Sequence, residues 1–113
     1  MSFYNLSWLV MHLNKMPLTG SYYKYVDNGW YAFTSTILDG GSPARILTLV
    51  DKVLTEDGLH LIDSTSKKRV PCGDMDGTQL SRVYANDRGD EVVNITAIYT
   101  KKAITLMMDS LNE

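Results

Sequence analysis

The chain is poor in the residues that usually announce chemistry. It has one cysteine, Cys72, so no intrachain disulfide is possible and no four-cysteine metal site can form. Its two histidines, His12 and His60, are far apart in sequence, and neither has a Cys or His at zinc-ligand spacing. Charge of one sign is lacking too. Eleven basic against thirteen acidic residues give a formal net charge of −2, which excludes whole-protein attraction to nucleic acid or an anionic membrane. No apolar run reaches membrane-spanning length. No basic region precedes the run Leu6–Leu13, and His12 interrupts it, so no signal peptide is expected. A free thiol without disulfide partners fits a reducing cytoplasm, the expected location.

What is present is a globular composition. Hydrophobic residues make up 44% and charged residues 21% of 113 positions, enough for one domain with a real core. Much of the aromatic mass lies in the first third: Phe3, Tyr4 and Trp8, then Tyr22, Tyr23, Tyr25, Trp30, Tyr31 and Phe33. Between the last two groups stands Asp27-Asn28-Gly29. Asn-Gly between β-prone runs is the strongest short-range hairpin signal. With Asn28 and Gly29 as turn residues, Asp27 faces Trp30, Val26 faces Tyr31, Tyr25 faces Ala32, Lys24 faces Phe33 and Tyr23 faces Thr34. Alternation puts Tyr22, Val26, Tyr31, Phe33 and Ile37 on a core face. It puts Tyr23, Tyr25, Trp30, Ala32, Thr34 and Thr36 on an amphipathic face. Tyr and Trp of that kind are enriched at interfaces, so Tyr23, Tyr25, Trp30 and Thr34 are the candidate partner-binding residues. Simple burial under a terminal helix is the competing reading.

Residues 2–16 read as an amphipathic helix capped by Ser2, with Phe3, Leu6, Leu9, Val10 and Leu13 at helical spacing, and Pro17 stops it. The segment Arg45–Leu54 reads two ways. As a helix it has Ser42 as cap, Pro43 at the first position, and Ile46, Leu49, Val50 and Val53 in register. As a strand it enters a hairpin through Thr55-Glu56-Asp57-Gly58. The strand reading is preferred because a second hairpin follows directly. Leu59–Asp63 and Arg69–Cys72, flanking the polar turn Ser64–Lys68, are expected to pair as a meander. Residues 73–79 read as a loop. Leu80–Ala85 and Glu91–Tyr99 form the last hairpin, with Val93, Ile95, Ala97 and Tyr99 on one face. Lys101–Leu111 is expected to be a C-terminal helix with Ala103, Ile104, Met107, Met108 and Leu111 as its stripe. The sum is an α+β fold: antiparallel hairpins in a curved sheet or small barrel, flanked by an N-terminal and a C-terminal helix. If both helices cover one face, the other is left wet or paired with another subunit.

Motifs for chemistry are weak. Asp74-Met75-Asp76-Gly77 looks like a fragment of a calcium loop, but the twelfth position is Ala85 instead of glutamate. Cys72 with His60 is the tempting nucleophile–base pairing. A two- or four-residue turn in the expected hairpin would put the two on opposite faces, and a three-residue turn would reverse this. Gly40-Gly41-Ser42-Pro43 lacks the spacing and the lysine of a phosphate-binding loop. Lys67-Lys68-Arg69 is the basic cluster that could touch an anion or nucleic acid, though lysine at a strand edge also deters edge pairing. No cofactor and no metal are expected.

In size and lack of motifs the chain resembles the compact proteins that act by binding another macromolecule, many phage and plasmid proteins among them. The expectation is a non-enzymatic protein-binding module, an inhibitor or adaptor, that uses the aromatic hairpin face and forms a homodimer as an option. The alternative is a small-molecule or nucleotide binder with a pocket between sheet and helix, served by Arg45 or Lys24. A single-stranded nucleic-acid binder ranks third and an enzyme fourth.

Overall fold

The computed structural model describes residues 6–16, 19–27, 30–38 and 41–111, with the backbone alone for residues 7, 19–27, 30 and 111. In chain order the elements are α1 (Leu6–Asn14), β1 (Thr19–Asp27), β2 (Trp30–Ile37), α2 (Pro43–Glu56), β3 (His60–Ser64), β4 (Lys68–Cys72), β5 (Met75–Ala85), β6 (Val92–Tyr99) and β7 (Ala103–Leu111). The fold is α+β. Six strands run in the spatial order β1-β2-β7-β6-β5-β3, every pairing antiparallel, and β4 pairs with β5 off that path. The sheet is not closed into a barrel.

The first hairpin has the register that Asn-Gly dictates. Asp27 pairs with Trp30, Val26 with Tyr31, Tyr25 with Ala32, Lys24 with Phe33 and Tyr23 with Thr34. The turn residues Asn28 and Gly29 lie outside the described residues, as do Ser2, Phe3 and Pro17 at the ends expected for the first helix. Phe33 is fully buried, and Tyr31 and Ile37 pack against the core, so the face assigned inward is inward on β2.

Four expectations need correction. The segment preferred as a strand is the helix α2. Local chemistry decides it: Ser42 is extended, its Oγ accepts the Ala44 N–H at 3.2 Å, and Pro43 opens the helix where no N–H is needed. Ile46, Leu47, Val50, Val53 and Leu54 are buried, each worth about 1.5–3 kcal/mol of transfer free energy when fully removed from water. Gly58 is left-handed (φ +86°), as the turn reading required, but it ends a helix. The Leu59 N–H reaches back to the Leu54 carbonyl at 2.9 Å and seats Leu59 in the core.

The expected C-terminal helix is the strand β7. Ile104, Leu106, Met108 and Ser110 are buried alternately, which is a period of two. Each side of β7 is paired, with β2 on one and β6 on the other. Finally, β3 and β4 do not pair with each other as a meander. Both lie along β5, β3 against its C-terminal half and β4 against its N-terminal half. The expected loop at 73–79 is only the tight turn Gly73-Asp74, with β5 starting at Met75. Gly73, at φ +62°, supplies the positive φ that a two-residue hairpin turn demands.

The β5–β6 hairpin stands where its apolar alternation put it, Ala85 opposite Val92, with Val93, Ile95 and Ala97 buried. One core cluster joins the buried residues of both helices to the inner residues of β2, β5, β6 and β7. Both helices therefore lie on one face of the sheet, and the other face is open among the described residues.

Candidate functional site: the open face of the sheet

Strand registers arrange the open face in cross-strand rows. One runs Tyr23, Thr34, Thr105, Ile98, Gln79, Lys68 across β1, β2, β7, β6, β5 and β4. At about 4.8 Å per strand it spans roughly 24 Å. The next runs Tyr25, Ala32, Met107, Thr96, Ser81, and the third Trp30, Asp109, Asn94, Val83, Asp63. The sheet thus brings Thr34, from the expected partner-binding set, into one row with Lys68, from the expected basic set. Tyr23, Tyr25 and Trp30 hold the register positions opposite Thr34, Ala32 and Asp27; their side chains lie outside the described residues.

The centre of this face is small, weakly polar and almost uncharged. Thr34 Oγ1 and Thr105 Oγ1 bond at 3.1 Å, and Ser81 Oγ and Thr96 Oγ1 at 3.0 Å. Each hydroxyl pair ties neighbouring strands side to side. Met107, Ile98, Val83 and Ala32 fill the space between, all half-buried. Asp109 is the one charged residue among the described positions of β2, β5, β6 and β7 on this face. Desolvation by its neighbours raises its pKa above the ordinary value.

The basic cluster is exposed. Lys67 stands in the β3–β4 connection, while Lys68 and Arg69 open β4 opposite Gln79 and Thr78. It flanks the open face without entering its centre.

Other constellations come apart. His60 pairs in register with Ala85 and Cys72 with Met75, at opposite ends of β5, so no Cys–His dyad forms. His60 Nε2 lies 3.0 Å from Asp87 Oδ1 on the surface. His12 stacks edge-on against Trp8, centroids 5.7 Å apart. Asp74 sits in the β4–β5 turn and Asp76 in β5 opposite Pro71; no three His, Cys, Asp or Glu side chains gather to hold a metal among the described residues. Gly41 and Ser42 lead into α2, whose first free N–H groups are partly met by Ser42 itself, and Gly40 lies outside the described residues. A cleft of about 300 Å³ opens beside the start of α2, lined by Pro43, Asp76, Thr78, Tyr99, Thr100 and Lys101. Arg45, expected at a ligand pocket, is exposed on α2 and does not line it.

Comparison with known proteins matches no family model, no curated protein and no solved structure.

The face residues that sequence reasoning missed are Thr105 and Met107, with Thr96 and Ser81 beside them. The first two were hidden by the helical reading of 101–111. An alternating reading of Ile104, Leu106 and Met108 leaves Thr105 and Met107 on the other side, but a helical stripe fits the same stretch, so the pattern alone does not choose between them. No helix among the described residues is long and apolar enough to cross a membrane.

Proposed function

We propose that this chain is a non-enzymatic protein-binding module, an inhibitor or adaptor, which docks a partner protein on the open face of its sheet. The observation that carries this reading is the hydroxyl-paired, nearly charge-free centre built from Thr34, Thr105, Thr96 and Ser81 around Met107 and Ile98. Covering a surface costs free energy when buried polar groups lose water without gaining a partner. Here the hydroxyls are already bonded to one another, and the groups between them are apolar. Such a centre, with basic residues at its margin, has the make-up of an interface core and rim. The separation of Cys72 from His60 along β5 favours binding over catalysis.

The test compares wild type with Thr96→Lys and Met107→Lys, each checked for native stability. Both substitutions place a charge on the open face without touching the core. Proteins retained by wild type and lost with both variants identify the partner. An unchanged set of retained proteins overturns the reading.

The cleft beside Pro43 and Tyr99 favours a second reading, a small polar ligand held between α2 and the sheet, with Lys101 and Asp76 supplying opposite charges. A thermal-shift screen with nucleotides and metabolites in which nothing stabilises the protein removes it.

A further inference from the structure

The edge formed by β3 and β4 is guarded more heavily along β4 than along β3. Thr65 joins the two halves. Its N–H donates to the Ser81 carbonyl at 2.9 Å, and its Oγ1 accepts the Ser81 N–H at 2.9 Å, so the edge runs without a break along β5. Beyond it no further strand pairs among the described residues. Native edges are protected from pairing by lysine, proline or other charge. β4 has such protection in Lys68, Arg69 and Pro71. β3 has one carboxylate, the exposed Asp63, beside Leu61, 47% exposed, and Ile62, 62% exposed. Ile62 is the extra residue of a bulge between Leu61 and Asp63. A bulge usually helps to blunt an edge, but this one offers a large aliphatic side chain to solvent.

Charge is polarised along the same edge. Glu56 and Asp57 precede β3, and the Asp87 carboxylate sits on His60 at its first residue. Lys67, Lys68 and Arg69, all exposed, follow it. A copy of the chain turned end over end about a two-fold axis sets the acidic end of one strand against the basic end of the other, twice. A parallel alignment sets like charges together. An extended peptide of single charge satisfies only one end.

We infer that β3 is the docking edge for a second copy of this chain, joined by antiparallel β3–β3 pairing around Leu61 and Ile62. The symmetry is isologous, with the same patch on both partners. The two sheets then continue into each other. Because the paired strands are short and twisted by the bulge, the interface is small and the dimer weak. The inference is independent of the open-face reading.

The test is sedimentation equilibrium of the chain alone, from about 10 μM to about 1 mM, a span suited to a weak interface of this size. The mass is expected to rise towards that of a dimer at the upper end. Ile62→Lys is expected to weaken association at least about tenfold, and so is Lys67→Glu combined with Lys68→Glu. Thr96→Lys, on the open face, is expected to leave it unchanged. Ile62, Lys67 and Lys68 are exposed and Thr96 is half-buried, and thermal unfolding of each variant checks that it is folded. A mass that stays monomeric throughout overturns the inference, whether or not β3 binds an extended peptide. So does a dimer that survives Ile62→Lys, or one that is lost with Thr96→Lys. A monomer throughout, or a dimer that survives Ile62→Lys, leaves partner capture by the open face untouched; loss of the dimer with Thr96→Lys would instead make the open face a self-interface.

Discussion

Tyr84 and Asp51 clasp the sheet to its covering helix. The phenol, buried on the inner face of β5, donates to Asp51 Oδ1 on α2 at 2.9 Å. The bond is set among the apolar contacts that Ile46, Leu47, Val50, Val53 and Leu54 of α2 make in the core. Burial and that bond push the Tyr84 pKa from 10.0 up to about 12, with Arg82 partly opposing.

Tyr84→Phe leaves the ring in place and removes the donor. Stability to urea is expected to fall by about 1–2 kcal/mol, since a half-buried Asp51 loses its partner. The pH dependence has a definite sign. The folded chain holds the Tyr84 proton more tightly than the unfolded chain, so the stabilisation is fully present below pH 10 and is lost as pH rises from 10.0 towards about 12. Unfolding curves at pH 9 and above should show this decline in wild type and a shallower one in Tyr84→Phe.

Asp109 has the opposite balance at neutral pH. Desolvation raises its pKa in the fold. Its contribution is therefore complete below the ordinary carboxylate value of 3.8 and is lost as pH rises through the folded value. Asp109→Asn is expected to stabilise the protein at pH 7 by at most a few tenths of a kcal/mol, because the group is still reached by solvent. The gain should vanish near pH 3 in matched chemical denaturation.

Ser42→Ala removes the cap of α2. A loss of about 1 kcal/mol is expected, read by thermal or urea unfolding. A strand at 43–56 would show no such dependence, and an unchanged stability would contradict the cap.

Gly77 and Cys72 share one space. A Cβ on Gly77 would overlap Cys72 Sγ and stand 3.2 Å from the Val70 carbonyl oxygen. Gly77→Ala is expected to cost about 1–3 kcal/mol as overpacking. Cys72→Ala in the same chain should recover part of that loss, the remainder reporting the Val70 carbonyl and the retained Cys72 Cβ. A double-mutant cycle measures the coupling.

Local signals carried the first hairpin and the β5–β6 hairpin. Asn28-Gly29 dictated a register that holds from Tyr23 to Thr34, and the alternation of Val93, Ile95 and Ala97 named the inner face of β6 correctly. The capping signals of α2, Ser42 and Pro43, were also legible, but the expected second hairpin directly after Thr55–Gly58 outweighed them. A left-handed glycine serves a hairpin loop and a helix end equally well. The candidate site was legible in part: Thr34 lies on the open face, whereas Thr105 and Met107 were concealed in a supposed helix.

The chain by itself determined its α+β class, its hairpin signals and most of its core, because turn chemistry and side-chain periodicity act over a few residues. Tertiary structure alone decided the state of Ala103–Leu111 and the neighbours of β3 and β4. The apolar residues of 103–111 satisfy both a helical stripe and an alternating strand, so periodicity is silent there. Position settles it: β2 and β6 each present an unpaired row of backbone N–H and C=O groups, and a strand between them satisfies both rows where a helix would satisfy neither. In the same way β5 is long enough to pair with two short strands end to end, which draws β3 and β4 away from each other and leaves the exposed Leu61 and Ile62 at the edge of the sheet.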